Sequence, residues 1–286
     1  SAASDVYKRQ KVSFTFSKSI FSHLKYVLIL FANSISMLIY VNSDITILGL
    51  FKGDYEVGLY SVAVKIYTIV KQLLNAMMVV GMPRMVRWTG QVDKEIVDNQ
   101  LNGLLSTLLM FLLPSIIGLF CLSEPIINLM AGETYILAAE PLRILSITLL
   151  FATIVCFYSN LVLIPNNMER KILKATSISA VLNIVLNIIF IPAFGMKTAA
   201  FTTLVSEGFS MFYMVFVSRK LYVPSVIKTG IQSLLSAIVI GMICLTVVSL
   251  SVSDLYKILI SIVASGVFWL LYWACINLGK KLKNKR

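Results

Sequence analysis

The sequence contains eight apolar stretches, and its basic residues are concentrated in every second gap between them. The stretches cover residues 25–49, 57–82, 101–122, 136–163, 172–191, 196–218, 229–250 and 255–278. Each is long enough to cross a bilayer as a helix, which takes about 20 mainly apolar residues. The pattern predicts an all-α fold, a polytopic membrane helix bundle with about eight transmembrane helices.

The distribution of basic residues predicts how this bundle is oriented. Of the 25 Lys and Arg residues, 19 lie before or at the start of the first stretch, in or beside the gaps after the second, fourth and sixth, or in the tail. In or beside the other four gaps lie only Lys52, Lys197 and Lys257. Cytoplasmic loops of membrane proteins are enriched in Lys and Arg. Both termini are therefore predicted to be cytoplasmic.

The composition excludes several classes of function. Only 13% of the residues are charged, whereas a soluble domain carries about 25%. The net charge of +12 is gathered on one predicted side, where anionic head groups attract it. Membrane lipids are therefore predicted partners, and nucleic acid is not.

Metal and nucleophilic chemistry have no support in the sequence. The four cysteines lie within or at the ends of apolar stretches, without CxxC spacing, and His23 is the single histidine. Isolated cysteines in such surroundings act as small apolar packing residues. No metal site, no cofactor and no catalytic residue is predicted.

The chain divides into three parts. Residues 1–18 are interpreted as a leader, because SAASDVYKRQ resembles a translated sequencing adapter rather than native sequence. The natural protein is expected to extend further in the N-terminal direction. Residues 19–222 form a predicted six-helix lobe. Residues 223–286 form two further helices, nearly free of charge and predicted to be peripheral, and a basic cytoplasmic tail.

Between the second and third stretches, residues 84–100 predict an amphipathic surface helix.

Polar residues recur at helical spacing within five of the stretches. The second stretch carries Ser61, Lys65, Thr68, Gln72 and Asn75, with Lys71 beside them. The other stretches carry Asp44 in the first, Glu140 and Arg143 in the fourth, Asn183 and Asn187 in the fifth, and Glu207 in the sixth. Such a spacing places polar groups on one face of each helix, which predicts either an aqueous pathway or interhelical hydrogen bonds.

The intramembrane charges allow two interpretations. A charge at the bilayer centre costs about 3 kcal/mol on insertion scales, and such residues usually face a bundle interior or a water-filled cavity. Lys65 and Lys71 either bind an anionic cargo or form buried ion pairs with Asp44, Glu140 or Glu207. Glu140 and Arg143, three residues apart, are predicted to neutralise each other.

Several runs resemble bacterial polysaccharide flippases of the multidrug, oligosaccharidyl-lipid and polysaccharide exporter superfamily. They are NSDITILGLFKGDYEVGLYSVAVKI, LLPSIIGLF, AGETYILAAEPLRILS and SAVLNIVLNIIFIPAFGMKTAAFTTLVSEG. The resemblance implies a flippase that carries polyprenyl-diphosphate-linked oligosaccharides across the cytoplasmic (inner) membrane for surface polysaccharide synthesis. It also implies that the whole protein has two six-helix lobes. The first lobe is then expected to precede this chain in the same protein and to pack against it as a partner.

The resemblance implies roles for the intramembrane residues. The expected partner is an anionic lipid-linked oligosaccharide, whose diphosphate attracts cations. The expected substrate pathway is lined by Lys65, Lys71, Arg143, Gln72, Asn75, Asn183 and Asn187. Asp44, Glu140 and Glu207 are expected to serve ion coupling or internal pairing.

Other functions remain open at this point. A multidrug or peptidoglycan-precursor exporter of the same superfamily is the nearest alternative. A membrane polymerase or ligase would carry a large outer loop bearing Arg, His or carboxylates. The longest predicted outer loop, from Ser123 to Tyr135, is short and has no His, so a transporter rather than an enzyme is predicted.

Overall fold

A computed structural model describes residues 24, 27, 28, 31, 35, 42–88 and 92–283, with side chains up to Ile276. These residues are helical apart from short connections, as the apolar stretches predict. The first predicted membrane helix, 25–49, lies mostly outside the described residues.

Nine α-helices run through the described part of the chain. They are α1 (42–52), α2 (Asp54–Trp88), α3 (Lys94–Cys121), α4 (Ser123–Ala131), α5 (Ala139–Phe157), α6 (Glu169–Phe194), α7 (Met196–Ser218), α8 (Ile227–Val248) and α9 (Asp254–Lys283). Among these residues, seven helical segments are long and apolar enough to cross a membrane. They match the second to eighth predicted stretches, which confirms the predicted helical membrane bundle.

Two local features differ from the sequence pattern. The fourth span is composite, since a 3-10 segment (Glu133–Ala138) precedes α5 and a π segment (Tyr158–Leu163) follows it. The predicted surface helix over 84–100 is wrong, because α2 continues to Trp88 and α3 begins at Lys94. Apart from Asp93, which precedes α3, its charged residues occupy the ends of these two long helices instead.

A glycine turn joins α6 to α7. Gly195 adopts a φ of 67°, which Gly reaches without the strain that a Cβ adds. The carboxylate of Glu56 on α2 accepts a hydrogen bond from the Met196 backbone N–H at 2.8 Å, and a Cβ on Gly195 would collide with that carboxylate. The acid therefore caps the N-terminus of α7, where the helix dipole favours negative charge.

The lobe packs around α5, which contacts α2, α3 and α7. One buried cluster surrounds Leu48, Leu59, Leu142 and Leu149 near one end, and a second surrounds Met78, Leu108 and Phe157 near the other. The last two helices attach at the side, since α8 packs against α3 and α9 packs against α8 and α4.

One exposed side of α7 is an aromatic stripe. Its exposed residues are Phe201, Val205, Phe209, Phe212 and Phe216, and their helical spacing puts them on one face. The opposite face is polar and turned into the lobe. Helix α7 therefore presents an apolar side outward and a polar side to the interior of the lobe.

Candidate functional site

The polar interior of the lobe contains two clusters on facing helices. The first, here the carboxylate cluster, consists of Ser43, Asp44, Tyr60, Asn183, Asn187, Thr202 and Thr203. The second is an ion pair between Lys71 and Glu207. Both clusters include residues of α2 and α7.

Asp44 is the centre of the carboxylate cluster. It is 6% exposed and accepts hydrogen bonds from the Asn187 amide at 2.6 Å, the Thr203 hydroxyl at 2.6 Å and the Tyr60 hydroxyl at 3.0 Å. A buried carboxylate without such partners would carry a large desolvation cost. Three donors from three different helices offset that cost and fix the carboxylate in place.

The two asparagines of α6 extend the network. Asn187 donates to the side-chain oxygen of Asn183 at 3.0 Å, and the Ser43 hydroxyl donates to the same oxygen at 3.0 Å. Thr202 donates to the side-chain oxygen of Asn187. Residues four apart lie one above the other on a helix, so the sequence alone places both amides on one face of α6.

The ion pair lies further along the same two helices. The Lys71 ammonium is 3.2 Å from the Glu207 carboxylate, and their side chains are 20% and 8% exposed. The Tyr67 ring centre is 5.5 Å from the ammonium. Glu207 lies one turn beyond Thr203 on α7, so a single helix connects the ion pair to the carboxylate cluster.

Lys65 and Gln72 occupy the exposed face of α2, seven residues apart. They share a helix face and do not join either interior cluster. Asn75 is half-buried, and its side-chain oxygen has no hydrogen-bond partner in the part of the chain that the structure describes. The polar seam predicted on α2 therefore follows the edge of an exposed surface.

Arg143 and Glu140 do not neutralise each other, as their spacing had predicted. The Arg143 guanidinium donates to Glu124 at 2.6 Å and to the Ser123 hydroxyl at 2.9 Å. Glu140 instead forms an ion pair with Lys197. The prediction is wrong because α4 and the start of α7 bring a carboxylate and an ammonium that short-range spacing does not reveal.

Sequence reasoning did not single out Tyr60 or Glu56 as functional. Tyr60 is an aromatic residue inside an apolar stretch, where an aromatic ring usually indicates packing. Glu56 lies in a short acidic segment with the appearance of a solvated loop. Only the arrangement of α1, α6 and α7 around them reveals their hydrogen bonds.

The carboxylate cluster brings several oxygen acceptors together around one acid. Its acceptors are carboxylate, amide and hydroxyl oxygens, which suit hard cations rather than transition metals. Within the described residues, no group of three or more His, Cys, Asp and Glu side chains has the arrangement of a metal site. The cluster offers one negative charge, held by neutral donors.

Comparisons with known proteins bear on the family and the fold of this chain. The profile of the family described as "Polysaccharide biosynthesis protein" matches residues 3–140. A probable low-salt glycan biosynthesis flippase, Agl15 of Haloferax volcanii, is 25% identical over 197 residues, 69% of this chain and 41% of the relative. The comparisons support the predicted flippase family.

A solved structure supports the fold of these flippases. The lipid II flippase MurJ, in an inward closed conformation, superposes with a TM-score of 0.73 at 20% identity. The match covers 96% of this chain and 58% of the MurJ chain. The chain thus spans about half the length of the flippases that it matches.

These likenesses bear on the class of protein and on its relation to the membrane. The relatives are named as flippases, which are transporters and not enzymes. Together with the seven membrane-length helices of the described residues, they indicate a multi-pass membrane protein.

Proposed function

We propose that this chain forms one lobe of a flippase that moves polyprenyl-diphosphate-linked oligosaccharides across the cytoplasmic membrane for surface polysaccharide synthesis. The observation that carries the proposal is the exposed cation at Lys65, with Gln72 two turns further along a membrane-spanning helix. Flippase names among the relatives support the class of transporter.

The exposed face of α2 mixes Lys65 and Gln72 with apolar residues such as Ile69 and Leu73, and in this it differs from the exposed face of α7. Every exposed residue between Phe201 and Phe216 on α7 is apolar, as a lipid-facing surface requires. A lysine in the same position on α2 would cost several kcal/mol in hydrocarbon. Lys65 and Gln72 therefore face an aqueous pathway, which transporters of this kind enclose between two repeats near the bilayer midplane.

The two lysines of α2 have different roles in this proposal. Lys65 has no carboxylate partner among the described residues, so its ammonium is free to attract a diphosphate as a mobile point charge. Lys71 is already neutralised by Glu207. Lys65, with Gln72 and Asn75, forms the cargo surface, whereas Lys71 serves mainly as an internal partner.

The carboxylate cluster is the proposed coupling site. Asp44, Asn183 and Asn187 supply oxygens from α1 and α6, and Thr203 supplies one from α7. An ion or proton bound there neutralises Asp44 and changes the interactions that hold α1, α2, α6 and α7 together. Arg143 and Glu140 lie in surface pairs with Glu124 and Lys197, and we assign them to the fold of that end of the lobe.

The cargo role of Lys65 is tested in the full-length protein. Lys65→Ala should accumulate in the membrane at the normal level, because an exposed side chain contributes little to stability. The variant should nevertheless lose surface polysaccharide, because the cation that attracts the cargo is gone. Lys65→Arg should retain part of the export, since the charge persists. Lys52→Ala is the matched control, because Lys52 lies at the end of α1 outside the seam. Normal export by Lys65→Ala would remove this residue from the pathway.

The nature of the cargo is tested separately. Complementation of a strain that lacks its oligosaccharide flippase should succeed, and complementation of a strain that lacks its peptidoglycan-precursor flippase should fail. The reverse result would favour a peptidoglycan-precursor exporter. Resistance to cationic drugs without either complementation would favour a multidrug exporter.

A further inference from the structure

A cavity of about 330 Å³ opens at the end of the lobe opposite the Glu56 cap. Its walls come from the start of α3, the end of the π segment and the segment that follows α7. All three lie in or beside gaps that are rich in Lys and Arg, on the predicted cytoplasmic side. The cavity is separate from the carboxylate cluster and from the exposed face of α2.

The charged residues that line the cavity are two lysines and one aspartate. Lys94 and Lys220 are exposed, and neither has a carboxylate partner among the described residues. Asp98 is half-buried, and Asn166 adds an amide. The net charge of the lining is therefore +1, which favours the binding of an anion.

The floor of the cavity is apolar. Leu101, Leu161 and Val162 line it and are at most 3% exposed. A small soluble anion gains nothing from such a floor. A phosphate joined to a glycerol and acyl chains would place its charge between the lysines and its apolar part on these side chains.

The wall that carries Lys220 is held in position. The Tyr222 hydroxyl donates to the side-chain oxygen of Asn102 at 2.7 Å, and the Ser225 backbone N–H donates to the same oxygen at 2.8 Å. Burial raises the pKa of Tyr222 above its ordinary value, so the phenol stays protonated and remains a donor. The cavity is thus largely preformed, which lowers the entropic cost of binding.

The depth of Lys220 matches the phosphate layer of a bilayer. Phe216 ends the aromatic stripe of α7, and the Arg219 guanidinium lies over its ring at 4.3 Å from the centre. Lys220 follows directly. A residue placed just past the last lipid-facing aromatic lies at the interface, where lipid phosphates are found.

From these contacts we propose that the cavity binds the phosphate head group of an anionic phospholipid of the cytoplasmic leaflet. Lys94 and Lys220 hold the phosphate, and Leu101, Leu161 and Val162 hold the adjoining glycerol and acyl carbons. The site is a resident lipid site and is distinct from the cargo pathway.

Lipid retention by the purified full-length protein tests this site. Native mass spectrometry with phosphatidylglycerol and phosphatidylcholine should show one phosphatidylglycerol held more tightly than the rest. Lys94→Gln with Lys220→Gln should weaken that binding about fivefold for each lysine removed. Lys171→Gln with Lys174→Gln is the matched control, because it removes two exposed charges from the same side outside the cavity, and it should leave the tight binding intact.

A change of opposite sign gives an independent check. Asp98→Asn should strengthen phosphatidylglycerol binding, because it removes the carboxylate that faces the anion. Asp93→Asn, on an exposed residue outside the lining, should have no such effect. Equal losses from both lysine pairs would indicate diffuse surface attraction and overturn the proposal. A pocket variant that loses polyprenyl diphosphate while keeping phosphatidylglycerol would make the cavity a cargo site instead.

Discussion

The indole Nε1 of Trp269 donates a hydrogen bond to the backbone carbonyl of Met110, 3.0 Å away. Pro114 lies four residues beyond Met110 in α3 and has no N–H to offer that carbonyl. The last helix of the chain thus supplies the donor that the proline removes. The Trp269 and Phe111 rings, 4.8 Å apart, add packing at the same point.

This relationship predicts a double-mutant cycle. Trp269→Phe should destabilise the protein by about 1 kcal/mol, because the Met110 carbonyl loses its donor. With Pro114→Ala already present, the same change should cost almost nothing, since the alanine N–H bonds the carbonyl within α3. Thermal melting in detergent measures both effects. Equal costs in the two backgrounds would show that Trp269 acts through packing alone.

The Lys71–Glu207 pair predicts a loss of stability that a second change restores. Lys71→Ala leaves the Glu207 carboxylate buried without its partner and should cost about 2–3 kcal/mol, below the 3–5 of a fully buried pair because the lysine is 20% exposed. Lys71→Met with Glu207→Gln should recover membrane abundance. Abundance and melting temperature are the readouts, and a destabilised double variant would count against the pairing.

The carboxylate cluster predicts a loss of ion or pH dependence. Asp44→Asn keeps the size of the side chain but removes the charge that an ion or proton would neutralise. Export by the full-length protein should fall and become insensitive to the coupling ion, while the variant still reaches the membrane. Ser43→Ala, at the edge of the cluster, is the milder control. An Asp44→Asn variant with unchanged ion dependence would exclude coupling at this site.

The alternation of basic gaps predicts the orientation in the membrane. A cysteine at position 130, in the exposed end of α4, should react with an impermeant maleimide in intact cells. A cysteine at position 90, in the gap rich in basic residues, should react only after permeabilisation. The opposite labelling would reverse both the orientation and the predicted side of the lipid cavity.

Much of the fold follows from sequence because it depends on local periodicity. Apolar length sets each span, and steps of three and four residues put Asn183 with Asn187, or Thr203 with Glu207, on one helix face. Which helix meets that face is not a local property. The choice of Glu207 as the partner of Lys71, rather than Asp44 or Glu140, depends on how α2 and α7 pack across 136 positions of sequence.

The same limit explains the errors at Arg143 and at residues 84–100. Spacing of three residues suggested that Glu140 neutralises Arg143, but the chain turns through α4 and brings Glu124 closer. Mixed charged and apolar residues suggested a surface helix, although helix ends at a membrane interface have the same composition. In both cases the local pattern was compatible with two structures, and tertiary packing selected one.

The position of Asp44 beside α7 indicates how much of the transmembrane voltage a cation crosses to reach it. From Phe201 to Phe216 the aromatic stripe of α7 spans about 22 Å at 1.5 Å per residue, most of a hydrocarbon core of roughly 30 Å. Thr203, which holds Asp44, lies about 10 Å from the start of α7 by the same measure. In the predicted orientation, a cation that reaches Asp44 from outside therefore crosses roughly a third of the transmembrane voltage, about 0.8 kcal/mol per charge at 100 mV.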